Sequence, residues 1–116
     1  MNTRPPQLTP IKIGSHTLDA NVVLAPMTEI TDRPTRLLAR RYGAGLVVSE
    51  MVAAEGVVRG AAVAAQKVKF DPRQGTNSVQ IVGANPINMA AAAKVNELAG
   101  ADIIDINMGC PARHVT

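Results

Sequence analysis

One cysteine offers nucleophilic or acid chemistry in this sequence. Cys110 is the single cysteine among 116 residues, and it lies between Gly109 and Pro111. A free thiol has a pKa of about 8.5, so it is protonated at pH 7 and can donate a proton without special activation. The alternative is a small buried apolar residue. His114 is a candidate base, but no third group is evident to orient it. Two ligands are also too few for a metal, and no metal site is predicted.

Polar side chains also interrupt apolar runs that have the character of strands. Gln80 lies within such a run, where an unpaired amide would cost a few kcal/mol (about 1–3). It is therefore either a core amide that pairs with a neighbouring strand or an amide directed at a ligand such as a flavin ring. Asp105 and Asn107 alternate with isoleucines, which predicts one shared face. That face is either a structural polar layer or part of a site. Glu50, at the end of another run, favours a salt bridge over catalysis.

A basic stripe marks the first helical segment. Arg33, Arg36 and Arg40 recur at helical spacing, and Arg41 adjoins them. We interpret the stripe as a solvated helix face, with phosphate contact to a nucleic acid as the alternative.

The elements that must position these side chains alternate along the chain. Apolar runs predict four buried strands, at residues 21–25, 45–51, 78–82 and 102–107. A helix from Asp32 to Gly43 should turn Leu37, Leu38 and Tyr42 inward. Further helices are predicted over residues 52–68 and from Asn85 to Gly100. A small hairpin, Ile11–Ile13 with His16–Leu18, precedes them, and residues 1–10 form an arm.

This order, β-α-β-α-β-α-β, predicts an α/β fold with parallel strands. It fits the N-terminal half of a (β/α)8 barrel, which needs about 250 residues, or a small open sheet. In both architectures ligands bind at the carboxyl ends of the strands. Polar or sulfur groups occupy all four of those ends, which predicts a site formed by residues 25–28, 49–51, 80–83 and 107–110.

Composition removes several classes of protein. Apolar residues are 47% of the chain, so it is no disordered tail. The net charge of +3 permits a nucleic-acid partner without requiring one, while 2% aromatic residues argue against a reader of single strands by stacking. We find no apolar run of the roughly 20 residues that a membrane helix needs, and no signal peptide at the N-terminus. One cysteine allows no internal disulfide. These features indicate a cytoplasmic protein.

Four segments, in order, resemble one known family. Residues 25–34, 49–51, 79–83 and 105–111 are similar to motifs of the tRNA-dihydrouridine synthases, most closely the bacterial B-type branch, and the resemblance covers about residues 11–116. It implies an FMN-dependent TIM-barrel enzyme that reduces uridines in tRNA to 5,6-dihydrouridine with NAD(P)H. Residues 11–116 would form the first part of its catalytic domain.

The resemblance also implies roles for individual residues. Cys110 would be the proton donor. The flavin would be bound by Pro26, Met27, Thr28 and Gln80, with Asn107 and Glu50 in the vicinity of flavin and substrate. The family's flavin-binding lysine, later barrel strands and helical tRNA-binding domain would lie beyond residue 116, so we expect the chain alone to be inactive.

Two other functions remain open at this point. One is another FMN barrel of the dihydroorotate dehydrogenase type, against which the Asn-x-Gly-Cys-Pro motif ending at Pro111 argues. The other is a self-contained α/β binding module without catalysis, against which unpartnered strand edges in an apolar chain argue.

Overall fold

The chain begins, in the part that can be described, with the expected hairpin. A computed structural model describes residues 8–111, so most of the predicted arm and His114 lie outside it. Strands β1 (Ile11–Ile13) and β2 (His16–Leu18) pair antiparallel. Gly14 takes a φ of 57° in the turn between them, a backbone conformation that glycine adopts without strain. The hairpin prediction is confirmed.

Five strands form a parallel sheet in chain order. They are β3 (Val23–Leu24), β4 (Leu46–Val48), β5 (Val52–Ala53), β6 (Asn77–Val82) and β7 (Ile103–Ile106). β3 pairs with β4. Both β4 and β5 pair with one edge of β6, and β7 pairs with its other edge. The parallel α/β fold is confirmed. A barrel and an open sheet wound in one direction share this order, and residues 8–111 close no barrel.

Strands β4 and β5 occupy one position in the sheet. Val48 is paired with Ser78, and Val52 is paired with Ile81. Three residues, 49–51, therefore face two residues of β6. This is a bulge of one extra residue, which bends the strand and interrupts the ladder.

Local capping explains the helices that the sequence predicted. Helix α1 (Arg33–Arg41) begins after Asp32, whose carboxylate accepts a hydrogen bond from Thr35 N at 3.0 Å. The side chain of Asn85 caps the long helix near the end of the chain in the same way. Gly43 and Gly100 lie two residues beyond the ends of these helices, both with positive φ, as glycines at this position commonly have.

The predicted helix over residues 52–68 is wrong as a single element. The segment starts with β5, continues as α2 (Ala54–Val58) and α3 (Ala62–Lys67), and leads to a 3₁₀ turn at Pro72–Gln74. Gly60 separates α2 from α3 with a φ of 70°. Glycine is a weak helix former and adopts a positive φ without strain, so the helical segment is interrupted there. The last helix, α4, is Pro86–Leu98.

Two details of burial also differ from expectation. Val23 is 44% exposed, so the first strand of the sheet is not buried on both faces. In α1, Leu38 is 54% and Tyr42 84% exposed, whereas Arg36 is only 1% exposed. The inward side of this helix is thus formed by an arginine, with its long apolar stem, in place of the leucine and tyrosine.

The two faces of the sheet have different cores. Val79 and Ile81 of β6 pack in a cluster that includes Ala92 of α4. On the other face, Leu46 and Val48 pack with Leu18 of the hairpin. Side chains alternate along a strand, so Gln80 belongs to the face that the hairpin covers at its N-terminal end. No helix within residues 8–111 is long and apolar enough to cross a membrane.

Candidate active site at the carboxyl ends of the strands

A chain of polar side chains crosses the ends of β6 and β7. Gln80 Nε2 donates to Asp105 Oδ2 at 2.5 Å, and Asn107 Nδ2 donates to Gln80 Oε1 at 3.3 Å. Asn107 Oδ1 then accepts a hydrogen bond from Gly109 N at 2.9 Å. Gln80 and Asp105 are register partners in the two strands. We call these residues, Asp105, Gln80, Asn107 and Gly109, the amide relay.

The bulge after β4 brings further polar groups to the relay. Ser49 Oγ accepts a hydrogen bond from Gln80 N at 3.1 Å, and Ser49 N bonds to Ser78 O at 3.0 Å. Met51 Sδ lies 3.5 Å from Asn107 Nδ2, close enough to accept a weak hydrogen bond. The interruption of the β ladder therefore supplies side chains to the site.

The loop between β3 and α1 is folded back on itself. Met27 O accepts hydrogen bonds from Ile30 N and Thr31 N, and the Thr31 hydroxyl, fully buried, bonds to Met27 N at 2.9 Å. Glu29 has a φ of 64°, the only positive φ of a non-glycine residue in the described range. Such a conformation is costly and persists where surrounding contacts enforce it.

Glu50 supplies one of those contacts. Its carboxylate accepts a hydrogen bond from Glu29 N at 2.6 Å, and the residue is 7% exposed. A hydrogen bond from a backbone N–H to a carboxylate is among the stronger ones in proteins. The partner of Glu50 is thus the backbone of the loop, and the expected salt bridge is absent among residues 8–111.

Arg36 holds the other end of the same loop. Its guanidinium donates to Thr31 O at 2.7 Å and to Lys69 O at 3.3 Å, and its Nε has no partner. Burial lowers the pKa of Arg36, an effect opposed by the negative charge of Glu50. The interpretation of the arginine stripe as a solvated face is therefore wrong for Arg36. Glu50 and Arg36 together form what we call the charged clamp on residues 27–31.

The remaining predicted site residues lie on the same rim with fewer contacts. Pro26 is half-buried, and Met27 and Thr28 are exposed in the clamped loop. Cys110 is a free, half-buried thiol just past the relay. The structure therefore joins Gln80 and Asn107 directly and links Glu50 to the Met27 loop. It describes no contact between Cys110 and these residues.

Sequence reasoning missed several members of this rim. Thr31 and Arg36 carry no local signal that distinguishes them from surface residues, whereas Ser49 lies in the predicted segment 49–51 but its bond to Gln80 N was not foreseen. Asp105 was recognised as polar and inward, but its partner was not identified.

The rim suits an organic ligand with hydrogen-bonding groups better than a metal. Gln80 uses one of its two N–H groups and one lone pair of its carbonyl within the protein. One donor and one acceptor therefore remain for a ligand. No group of three or more metal-ligating side chains occurs within the described residues.

Comparison with known proteins decides the family. The sequence model of the family described as dihydrouridine synthase matches residues 23–116. The chain belongs to the dihydrouridine synthase family. The matched range includes the segments of Gln80 and Asn107. Neither a protein of the dihydroorotate dehydrogenase type nor a non-catalytic binding module accounts for this match.

Curated relatives agree with the family. The chain is 47% identical to tRNA-dihydrouridine synthase B of Vibrio parahaemolyticus over 105 residues, which cover 90% of this chain and 33% of the relative. It is 46% identical to tRNA-dihydrouridine synthase B of Pseudomonas putida over 108 residues, covering 93% and 32%. A probable tRNA-dihydrouridine synthase of Rickettsia prowazekii is 47% identical over 106 residues. The chain thus spans about a third of the length of these dihydrouridine synthases.

Proposed function

We propose that this chain is part of an enzyme that reduces specific uridines in tRNA to 5,6-dihydrouridine, with FMN as cofactor and NAD(P)H as reductant. Family membership and the names of the relatives support this proposal. The observation that carries it is the amide relay, because it gathers Gln80 and Asn107 at one rim and runs to the turn before Cys110. The place of action would be the cytoplasm, where tRNA is modified.

The proposed fold of the whole catalytic domain is a (β/α)8 barrel. In that proposal β3, the interrupted strand β4–β5, β6 and β7 are the first four barrel positions. Their sequential, parallel order supports it. The hairpin β1–β2 would then close the N-terminal end of the barrel, since Leu18 packs against Leu46 and Val48 there.

The residues of the rim suit FMN. Bound FMN, reduced by NAD(P)H, would supply the hydride that is added to C6 of the uracil. Gln80 would bind the flavin ring through the donor and acceptor that the relay leaves available. Pro26, Met27 and Thr28 would lie along the flavin, held by the charged clamp.

Cys110 would complete the reduction. After addition at C6, the C5 position of the uracil carries negative charge and must take up a proton. A neutral thiol can supply it directly, and the resulting thiolate takes a proton from solvent before the next turnover. Asn107 would be close to both flavin and uracil, and the target uridine would leave its stack to enter the site.

Replacing the thiol in the full-length protein tests this proposal. Cys110→Ala should retain FMN and its reduction by NAD(P)H, because that half-reaction needs no proton at C5. Reoxidation of the flavin by tRNA should slow by about 10²–10⁴, the usual contribution of a positioned acid. Stopped-flow absorbance of the flavin measures both steps. Cys110→Ser should recover little activity, since a hydroxyl is a much weaker acid.

Two outcomes would contradict the proposal. Wild-type reoxidation by tRNA in Cys110→Ala would show that Cys110 is a packing residue. A wild-type full-length protein that binds no FMN, or forms no dihydrouridine in unmodified tRNA, would refute the assigned activity itself.

A further inference from the structure

The amide relay has a direction, and one residue determines it. A carboxylate only accepts hydrogen bonds, so the side of Gln80 that faces Asp105 must be its NH₂ group. The carbonyl oxygen of Gln80 then faces Asn107 and accepts from its NH₂ group. This leaves the carbonyl oxygen of Asn107 to accept from Gly109 N. Every amide in the relay is oriented in sequence from Asp105.

We propose that Asp105 is a positioning residue that fixes the amide directions of Gln80 and Asn107, and through them the ligand-facing edge of Gln80 and the turn before Cys110. This inference rests on the proposed function for its consequence in FMN binding. Nothing in it requires Asp105 to touch the flavin or the uridine.

Reversal of the relay would change what a ligand meets. If residue 105 could donate, the carbonyl oxygen of Gln80 could turn towards it and the NH₂ group towards Asn107. The remaining donor and acceptor of Gln80 would then exchange places. Asn107 would have to turn its own oxygen towards Gln80, which would release Gly109 N from its partner. A flavin ring has its donors and acceptors in a fixed order, so such an exchange weakens binding.

Burial makes the direction of the hydrogen bonds in the relay energetically important. Gln80 is 8% exposed, and Asp105 and Asn107 are half-buried, so bulk water cannot freely replace a lost partner. Hydrogen bonds to charged groups are also roughly twice as strong as those between neutral groups. The carboxylate of Asp105 is the only charged member of the relay.

Asp105 could matter because it only accepts hydrogen bonds or because of its size and shape. Two substitutions of Asp105 give opposite rankings of FMN affinity under these two explanations. Asp105→Asn keeps size and shape but can donate, whereas Asp105→Glu changes the length but still only accepts. If Asp105 orients the relay, FMN should bind in the order wild type, Glu variant, Asn variant. We expect Asp105→Asn to weaken FMN binding on the order of tenfold, about the effect of losing one hydrogen bond between Gln80 and the flavin.

A matched control lies one residue before the same strand. Asp102 Oδ2 accepts a hydrogen bond from Asn77 N at 2.8 Å, at the opposite end of β6 and β7. Asp102→Asn therefore removes a carboxylate that also joins these two strands but is not part of the relay. It should leave the FMN dissociation constant within about twofold of wild type.

The test uses the full-length protein and two readouts. Quenching of flavin fluorescence gives the FMN dissociation constant, and ¹H–¹⁵N NMR of the apoprotein follows the backbone amide of Gly109. In Asp105→Asn the Gly109 signal should move and its hydrogen exchange should accelerate, because the release propagates along the relay. In Asp102→Asn and Asp105→Glu it should stay close to the wild-type position.

The outcomes separate this inference from the proposed function. FMN binding that ranks Asn above Glu, or a Gly109 signal unchanged in Asp105→Asn, would overturn the inference and leave the proposed function standing. Equal loss of FMN affinity in the Asp102 and Asp105 variants would also overturn it. Failure of the wild-type protein to bind FMN would refute the proposed function, and the Gly109 signal would then still decide the direction of the relay.

Discussion

The two ends of the parallel sheet are built on different principles. At the N-terminal end, Leu18 of the hairpin is 2% exposed and packs with Leu46 and Val48. At the C-terminal end, Gln80 and Glu50 are also nearly buried, yet each is held by hydrogen bonds. The apolar contacts at the N-terminal end stabilise the fold, and these side chains have no hydrogen-bonding group to offer a ligand. The second end keeps polar groups in fixed directions with bonding capacity left over. Close packing and unused hydrogen-bonding capacity are thus found at opposite ends of the strands.

The largest expected effect is at the close-packed end. A Cβ added to Gly45 would lie 1.9 Å from the backbone oxygen of Ala20, a clash that only backbone movement can relieve. We expect Gly45→Ala to lower the free energy of unfolding by at least about 3 kcal/mol, as measured by urea denaturation of the full-length protein. Gly56→Ala is the control, because its Cβ would meet only ordinary contacts at 3.9 Å or more. Helix α2 should then gain stability or stay unchanged.

The next effect tests whether the hairpin acts only on stability. Leu18→Ala removes a buried side chain and should cost about 2–5 kcal/mol. The variant that remains folded should bind FMN with wild-type affinity, because Leu18 lies at the opposite end from the relay. Leu38→Ala, at a position 54% exposed, should change stability by less than about 0.5 kcal/mol. A loss of FMN affinity in Leu18→Ala without further unfolding would mean that the two ends are coupled.

At the polar end, we expect a substitution to lower FMN affinity more than stability. Glu50→Ala leaves Glu29 N without its acceptor and removes one half of the charged clamp, so the loop at Met27 loses its fixed form. We expect weaker FMN binding at a stability cost of about 1–3 kcal/mol. Glu50→Gln still offers an oxygen to Glu29 N and should retain most of the affinity. Equal losses in both variants would instead assign the effect to the negative charge facing Arg36.

The smallest effect lies outside both ends. The hydrogen bond from the Arg73 side chain at 2.8 Å lowers the pKa of Asp71 to about 2, against an ordinary value of 3.8. Its stabilising contribution is therefore complete above pH 3.8 and is lost as the pH falls through 2. The difference in unfolding free energy between wild type and Asp71→Asn should shrink over that interval. Arg73→Met should show the same pH dependence, and a difference that stays constant with pH would contradict this assignment.

A structural feature could be predicted from the sequence where the contacts that cause it are close along the chain. The caps at Asp32 and Asn85 follow from side chains that bond within three residues, and both were predicted from sequence. Gln80 was recognised because an amide stands out in an apolar strand. The partner of Glu50 and the burial of Arg36 were not predictable, because they depend on backbone groups 21 and 33 residues away. The break of residues 52–68 into three elements likewise reflects pairing of Val52 with Ile81.

The extra residue in the bulge at residues 49–51 shifts the alternation of side chains between the two sides of the sheet. Val48 is paired with Ser78, on the polar face of β6, while Val52 is paired with Ile81, on the helix-covered face. Val52 comes four positions after Val48, an even number that would put the two valines on one side of an unbroken strand. The extra residue changes the parity. Deleting one of the three would restore a regular ladder with Val52 still opposite Ile81. The extra residue therefore shapes the bulge that carries Ser49 and Met51 to the relay, and does not decide the side on which Val52 lies.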